Sequence, residues 1–222
     1  MTPSLRVIDP PESVADPVRE GAVAGVLLAA GTSSRFGKRN KLLATLNGEP
    51  LVRHAARTLS EATVDPRVAI IGANGERVAA ALDGLGFAVV ENPHYDQGQA
   101  TSVQAGVRAV REIDADVAGA VFALGDMPLV APASVDALVS AYRAGEASAL
   151  AAAYDGERGN PVLFDEQHFD ALADTDGDVG GRQLLLAEDD SVLVETGDPG
   201  VRRDVDTQAD LDGVRERTDR LW

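Results

Sequence analysis

The stretch from Leu27 to Lys41 has the residue types that are needed to hold a polyphosphate. It reads Leu-Leu-Ala-Ala-Gly-Thr-Ser-Ser-Arg-Phe-Gly-Lys-Arg-Asn-Lys and follows the apolar residues Val23 and Val26. Small residues let backbone N–H groups approach phosphate oxygens closely, and the cations offset the negative charge. Two common phosphate loops are excluded, because the stretch contains neither G-x-x-x-x-G-K-[ST] nor G-x-G-x-x-G. We therefore predict another phosphate-binding turn, in which Arg35 grips oxygens as a fork and Lys41 supplies a point charge.

A carboxylate at the end of a second apolar run is a candidate metal ligand. Leu124-Gly125-Asp126-Met127-Pro128 directly follows the apolar residues 117–124. A carboxylate that leaves a buried strand at its carboxyl end is well placed to hold a hard cation. Mg²⁺ prefers such oxygen ligands and keeps waters and substrate phosphates as its remaining ligands. The alternative is a plain turn at a strand end.

Four further stretches are rich in polar side chains, three of them with glycine, and could line a site. They are Asn92–Ser102, Arg158–Phe164, Gly177–Arg182 and Asp204–Leu211. Each could instead be a turn or a capped helix start. The three histidines lack the spacing of a zinc site, and the absence of cysteine excludes thiolate metal sites and cysteine nucleophiles.

Alternating strands and helices are predicted to position these residues. Strands are expected at 23–29, 67–72, 87–91, 117–124, 148–154 and 191–195, and helices at 50–62, 75–84, 100–112, 132–144, 166–173, 180–188 and 207–217. Near-continuous apolar strands indicate a mostly parallel sheet covered by helices on both faces. Residues 1–22, with four prolines and little periodicity, are expected to be a flexible arm before a domain at 23–222. Ligands bind beyond the carboxyl ends of parallel strands, so the loops 30–41, 92–102 and 125–129 should form one site.

These motifs together resemble those of one enzyme family. Residues 28–41 resemble the signature L-A-A-G-x-S-x-R-x-G-x-x-K of the MobA-like nucleotidyltransferases, most closely in the MocA branch of molybdenum cofactor cytidylyltransferases. Residues 125–128 resemble the family's G-D-x-P, and Asp204–Leu211 resembles its D-[IV]-D-T-x-x-D-L ending. The resemblance covers nearly all of 23–217. It implies an α/β fold, a three-layer α/β/α nucleotidyltransferase domain of Rossmann-like, GT-A type with a mostly parallel sheet.

The resemblance also implies roles for individual residues of this chain. Lys41, Arg35 and Asp126 would be catalytic, and Asp126 and Asp206 would bind Mg²⁺. The residues expected to bind the nucleotide are Leu28, Ala29, Ala30, Gly31, Thr32, Ser33, Arg35, Lys41, Asn92 and Ser102. Asn160, Asp178 and Arg182 are expected to contact the acceptor substrate.

The register of the phosphate-binding lysine departs from the family pattern. The commoner spacing has two residues between the second glycine and the lysine, whereas three residues separate Gly37 from Lys41 here. Either Lys38 or Lys41 could take the role. We favour Lys41, because Lys41-Leu42-Leu43 followed by Gly48-x-Pro50-Leu51 keeps the downstream register.

The reaction implied by the resemblance is the Mg²⁺-dependent transfer of CMP from CTP to the phosphate of molybdopterin, with release of pyrophosphate. Guanylyl-transferring relatives commonly have L-A-G-G where this chain has Leu28-Ala29-Ala30-Gly31. The methyl group of Ala30 would crowd a purine, which favours CTP. The alternatives are guanylyl transfer from GTP to molybdopterin, transfer to a sugar or alcohol phosphate, and a non-catalytic nucleotide-binding accessory factor. A molybdoenzyme that receives the product is a possible partner.

Composition limits the partners and the compartment. The formal net charge is −16, with 36 acidic against 20 basic residues. Such a surface repels nucleic acid and anionic membranes, so neither is an expected partner. The lack of cysteine and of an apolar N-terminal core after Arg6 favours a cytoplasmic location without a signal peptide. The two lysines of the chain, Lys38 and Lys41, both lie in one loop despite this acidity.

The acidic surface predicts adaptation to a salt-rich solvent. Molar salt screens repulsion between carboxylates beyond about 3 Å, so the folded state should gain stability as the salt concentration rises. We expect the melting temperature to increase between low and molar KCl, as followed by circular dichroism. A midpoint that stays constant or falls would identify an ordinary acidic protein instead.

Overall fold

A single eight-stranded sheet forms the centre of the computed structural model, which describes residues 5–11, 14–32, 36, 40–113, 116–174, 181–188 and 190–218. The strands of this sheet are β1 (Arg6–Ile8), β2 (Ala22–Ala29), β5 (Arg67–Ile71), β6 (Ala88–Glu91), β7 (Val117–Leu124), β8 (Ala149–Tyr154), β9 (Glu157–Asp165) and β10 (Ser191–Glu195). Their spatial order is β1-β10-β8-β9-β7-β2-β5-β6. A small hairpin of β3 (Thr45–Leu46) and β4 (Glu49–Pro50) lies apart from it.

Helices cover both faces of the sheet, so the predicted three-layer α/β/α architecture is confirmed. The helices are α1 (Leu51–Glu61), α2 (Gly75–Ala81), α3 (Gln99–Ile113), α4 (Pro132–Arg143), α5 (Phe169–Ala173), α6 (Arg182–Ala187) and α7 (Gln208–Thr218). Apolar residues of α1, α2 and α4 join one buried cluster, while those of α3, α5 and α6 join a second on the opposite face. The six predicted strands and seven predicted helices are present, with ends that shift by up to three residues. No helix in the described part of the chain is long and apolar enough to cross a membrane.

Strand β9 of the main sheet was not predicted from the sequence. The strand β9 lies antiparallel between β7 and β8, whereas the other neighbouring pairs of this sheet are parallel. The sequence Arg158–Phe164 contains glycine, asparagine and proline, which weaken a strand pattern. A tight turn at Asp155 and Gly156, both with positive φ (53° and 71°), connects β8 to β9. The stretch Arg158–Phe164, which the sequence left open as a site-lining segment or a turn, is therefore part of a strand in the middle of the sheet.

The expected flexible arm also contributes to the sheet. Residues Arg6–Ile8 form the edge strand β1, which pairs in parallel with β10. Farther along, the N–H groups of Val18 and Arg19 both donate to the carbonyl of Arg143. The expectation of an unstructured arm is wrong for these residues, because the backbone hydrogen bonds of β1 outweigh its weak apolar pattern.

A close backbone approach at Gly159 holds the C-terminal part of the chain against the sheet. Gly159 lies in β9, opposite the buried Val201 of the short 3-10 helix Pro199–Arg202. A Cβ atom at Gly159 would fall well inside van der Waals contact with the carbonyl of Val201. Glycine at this position therefore allows the segment that leads to Asp206 to dock.

Substitution of Gly159 should destabilise the fold through this contact. We expect Gly159→Ala to lower the free energy of unfolding by about 1–3 kcal/mol, the range typical of overpacking, in urea denaturation. Gly213→Ala in α7 is the matched control, because a Cβ atom there would meet no neighbouring atom. That control should raise stability by roughly 0.5–1 kcal/mol through helix propensity. Equal stability of Gly159→Ala and the wild type would contradict the proposed docking contact.

Candidate active site

Two adjoining pockets lie at the edge of the sheet where the parallel strands β2 and β7 end. Both pockets are lined by Leu28, Gln99 and Leu124, so they lie side by side, and we call the two together the cleft. The other residues of the first pocket are Ala30, Gly31, Thr32, Lys41, Leu42, Tyr95, Asp96, Gly98, Ser102 and Asp126. The other residues of the second are Val103, Phe122, Arg158, Asn160, Val162, Phe164 and Gly181. The structure thus brings together the loops that the sequence placed at one site.

Lys41 lies between two carboxylates at the centre of the first pocket. Its Nζ atom is 2.6 Å from Oδ2 of Asp126 and 2.6 Å from Oδ1 of Asp206. The lysine begins a short 3-10 helix that is capped by Asn40, whose side chain accepts a hydrogen bond from the N–H of Leu42. The Asn40 amide also donates to the carbonyl of Ala73 at 2.8 Å. These bonds fix the backbone that presents the Lys41 ammonium to the cleft.

Backbone hydrogen bonds bring the two carboxylates together. The N–H of Gly125 donates to the carbonyl of Leu28, and the N–H of Val205 donates to the carbonyl of Asp126, each at 2.9 Å. A Cβ atom at Gly125 would lie 3.1 Å from the Leu28 oxygen, so glycine allows the strand ends to approach. The bond from Val205 places the next residue, Asp206, beside Asp126.

The start of α7 fixes the backbone around Asp206. Oδ2 of Asp210 accepts hydrogen bonds from the N–H of Asp206, at 3.2 Å, and of Thr207, at 2.7 Å. The N–H of Asp210 donates in turn to the Thr207 hydroxyl at 3.2 Å. In this reciprocal pattern Thr207 caps α7 with an aspartate three positions on, so the stretch Asp204–Leu211 does contain a capped helix start.

Burial shapes the electrostatics of this site. Burial raises the pKa of Asp126 above the usual aspartate value, although Lys41 acts in the opposite direction. Burial also acts to lower the pKa of Lys41, but the two carboxylates outweigh it and hold that pKa above the usual lysine value. The second oxygen of Asp126, Oδ1, is buried and accepts no hydrogen bond from the residues that the structure describes. The site therefore contains a buried carboxylate oxygen that a ligand could still bind.

The donor set fits a divalent cation that also binds a substrate. Asp126 and Asp206 offer hard carboxylate oxygens at one point, and Asp126 has an unpartnered oxygen to share. No cluster of three or more His, Cys, Asp or Glu side chains that could hold a metal occurs in the described part of the chain. Two protein carboxylates suit Mg²⁺ or a similar ion that takes its remaining ligands from water and phosphate.

The end of β2 divides between the cleft and the core. Leu28, Ala30, Gly31 and Thr32 line the first pocket, as their expected nucleotide-binding role requires. Ala29 is fully buried in the hydrophobic cluster on the α1 side of the sheet, because adjacent strand residues point to opposite faces. Its side chain therefore belongs to the core and not to the wall of the cleft.

Asn92 lies behind the cleft and supports Ser102, which lines it. The Asn92 side chain is buried and donates to the hydroxyls of Thr101, at 2.9 Å, and Ser102, at 3.1 Å. Its Oδ1 atom accepts from the N–H of His94. All of these contacts lie within the 92–102 segment, so the structure shows Asn92 organising this loop and the start of α3.

The acceptor-side residues are only partly described. Strand β9 carries Asn160 to the second pocket together with Arg158. Arg182 begins α6, directly after the pocket residue Gly181. Ser33, Arg35, Gly37, Lys38 and Asp178 lie outside the described residues, as does the Arg182 side chain.

Several cleft residues were missed in the sequence. Tyr95, Gln99 and Leu124 line the pockets, and Gln99 contributes to both. Gly72, directly after β5, makes room for Tyr95, since a Cβ atom there would lie 2.6 Å from the tyrosine Cβ. A glycine that ends an apolar strand was the available signal, but it does not indicate which residue packs against it.

Comparison with known proteins relates this fold and site to nucleotide transfer. The family model described as the MobA-like NTP transferase domain matches residues 25–192. The nicotine blue oxidoreductase of Paenarthrobacter nicotinovorans is 32% identical over 194 residues, which cover 83% of this chain and 92% of that protein. The probable molybdenum cofactor guanylyltransferase of Natronomonas pharaonis is 32% identical over 213 residues, which cover 89% and 98% of the two chains.

A solved structure shares the fold over most of the chain. Rv0371c from Mycobacterium tuberculosis H37Rv superposes with a TM-score of 0.77 at 27% identity, covering 88% of this chain and 98% of that one. A second structure of Rv0371c, in complex with manganese, superposes with a TM-score of 0.70 at 26% identity, with the same coverage of 88% and 98%.

Replacing the buried carboxylate by a neutral amide should not weaken the fold. Asp126→Asn keeps the shape of the side chain and removes the negative charge of a carboxyl group whose pKa is raised by burial. Lys41 keeps its ion pair with Asp206 in this variant. We expect its melting temperature to equal or exceed that of the wild type in calorimetry. Asp198→Asn is the comparison. The carboxylate of Asp198 accepts three hydrogen bonds, so we expect this variant to have a lower melting temperature than the wild type. A lower melting temperature for Asp126→Asn would show that the carboxylate is structural.

Proposed function

Since the chain belongs to the MobA-like NTP transferase family and is a nucleotidyltransferase, we propose that it transfers CMP from CTP to the phosphate of molybdopterin. In this reaction an oxygen of the acceptor phosphate attacks the α-phosphorus of the nucleotide. A new P–O–P bond forms as the bond to the β-phosphate breaks, and pyrophosphate leaves. An acceptor phosphate is already ionised near neutral pH, so the reaction requires no general base.

The position of Lys41 is the observation that carries this proposal. Its ammonium lies in the same pocket as Gly31 and Thr32, at the end of β2. A triphosphate bound along Gly31 and Thr32 would meet a cation at one end and the Asp126–Asp206 pair close by. Phosphoryl-transfer enzymes act mainly by positioning and by neutralising charge, and these are the tasks that such a pocket can perform.

We assign the metal site to Asp126 and Asp206 and its ion to Mg²⁺. The unpartnered Oδ1 of Asp126 supports the assignment, as does the manganese found in Rv0371c. When bound, such an ion would neutralise phosphate charge and orient the triphosphate. The protein's own part is to hold the two carboxylates at one point and to keep Lys41 and the strand end around them.

The second pocket suits the acceptor. Phe122 and Phe164 give it an apolar floor on which a flat ring can pack, while Arg158 and Asn160 offer polar groups for a phosphate or ring substituents. The two pockets share Leu28 and Leu124, so an acceptor there would face the nucleotide directly. Asp178 and Arg182 remain proposed acceptor contacts on the family resemblance.

The choice of CTP rests on Ala30. Its side chain lines the first pocket and is 4% exposed, so its methyl group occupies space in the wall that glycine would leave free. Ser102 and backbone groups nearby can pair with the edge of a cytosine. The guanylyltransferase of Natronomonas pharaonis makes GTP the second candidate.

Nucleotide preference of the wild type and of Ala30→Gly tests the proposal. Pyrophosphate release should be fastest with CTP among the four NTPs and should depend on molybdopterin. Ala30→Gly should reduce the ratio of kcat/KM for CTP to that for GTP by roughly tenfold, since a methyl-sized difference in a pocket changes discrimination about 10-fold or more. Asp126→Asn should lose turnover by about 10²-fold or more. A wild-type preference for GTP would overturn the choice of nucleotide.

Other activities appear as distinct outcomes of the same experiment. Turnover with sugar phosphates in place of molybdopterin would change the acceptor. Nucleotide binding with no turnover in any combination would indicate an accessory factor. Reduction or oxidation of nicotine blue without NTP consumption would indicate an activity like that of the nicotine blue oxidoreductase. A cytoplasmic location and delivery of the product to a molybdoenzyme are parts of the proposal that follow from its substrate.

A further inference from the structure

We infer that Lys41 is an internal counter-ion that competes with the divalent cation for Asp126 and Asp206, so that metal entry requires the lysine to release the carboxylates. The inference rests on the proposed function, because it treats this carboxylate pair as the metal site. The inference adds to that function an exchange of Lys41 for the metal ion. The lysine neutralises the carboxylate pair before substrate arrives, and its ammonium group contacts the nucleotide afterwards.

The competition follows from the geometry of one shared atom. The same Nζ lies 2.6 Å from an oxygen of each aspartate. The side chains of Lys41 and Asp126 are 12% and 20% exposed, so water and salt screen this contact only weakly. Mg²⁺ binds carboxylate oxygens at about 2.0–2.1 Å. An ammonium in hydrogen-bond contact with the same oxygens would repel it, and the two cations cannot both occupy this position.

A second carboxylate oxygen shows where exchange can begin. Oδ1 of Asp126 is buried and has no hydrogen-bond partner among the described residues, so an ion that reaches the site would meet an oxygen that Lys41 does not hold. Full occupation of the site then requires Oδ1 of Asp206, which Lys41 also holds. Release of the lysine is therefore coupled to the binding of the ion.

The nucleotide gives the released lysine a new partner. Gly31 and Thr32 line the same pocket as Lys41, so a triphosphate bound there would offer its oxygens to the ammonium. Nucleotide and metal would then favour each other's binding. The nucleotide draws the lysine away from the carboxylates, which helps the metal to bind, and the metal neutralises the carboxylates, which would otherwise repel the nucleotide. Without nucleotide, the site should bind divalent metal only weakly.

Binding of Mn²⁺ alone tests the inference without any turnover. Free Mn²⁺ is measured by electron paramagnetic resonance with wild type, Lys41→Met, Lys41→Arg and Arg77→Met. We expect Lys41→Met to bind Mn²⁺ at least about tenfold more tightly than wild type, since the competing charge-assisted hydrogen bonds are gone. Lys41→Arg keeps the charge and should stay closer to wild type. Arg77 is an exposed cation outside the carboxylate pair, so Arg77→Met controls for net charge and should change the affinity less than about twofold.

Thermal melts give a second reading of the same competition. Mn²⁺ should raise the melting temperature of Lys41→Met more than that of the wild type. Lys41→Gln replaces Lys41→Met if the latter does not melt cooperatively. Mn²⁺ binding by the uncharged variants, Lys41→Met or Lys41→Gln, that is equal to or weaker than binding by wild type would overturn this inference alone. Absence of Mn²⁺ binding in every variant, with CTP present as well, would overturn the metal site and the proposed function together.

Discussion

Two like charges held at one point are the constraint on which the rest of this structure depends. Asp126 and Asp206 are distant in sequence, yet both contact the same ammonium. The Lys41 ammonium between them offsets their repulsion, and Asp126 is desolvated as well. The fold sustains this arrangement with backbone bonds, from Gly125 to Leu28 and from Val205 to Asp126, that do not depend on the charges.

The same constraint explains several features that are remote from the carboxylates. Gly159 lets the 199–202 segment dock against β9, which sets the path of the chain towards Asp206. Asp210 caps α7 and fixes the next turn. On the other side, Asn40 caps the 3-10 helix that begins with Lys41. Each element brings one charged group to the cleft through backbone geometry, so the position of the site is set before any substrate binds.

The part of the site that could be predicted consists of charged residues that follow an apolar strand pattern. Because Asp126 follows an apolar run, it could be predicted as a metal ligand at the end of a strand. Lys41 could be predicted as a phosphate-binding cation, because it lies in the loop after β2. Asp206 was indicated only through the family resemblance, because a capped helix start explains its sequence equally well. Strand β9 could not be predicted, since its pairing between β7 and β8 depends on partners distant in sequence, and its Gly159 and Pro161 weaken the local pattern. The place of Asn92 behind Ser102 depends on side-chain hydrogen bonds that no spacing reveals.

The net negative charge of the chain and the Lys41 ammonium both affect how a triphosphate can bind. A net charge of −16 would repel a triphosphate from most of the surface, so binding requires a local region where the sign is reversed. The Lys41 ammonium cannot reverse it alone while it is shared between two aspartates. On the proposed function, a divalent cation would neutralise the carboxylate pair and leave the lysine free to bind phosphate, which would make the local potential attractive to a triphosphate. We therefore expect an acidic surface with a lysine-neutralised carboxylate pair to favour the nucleotide that arrives with its metal over the free anion.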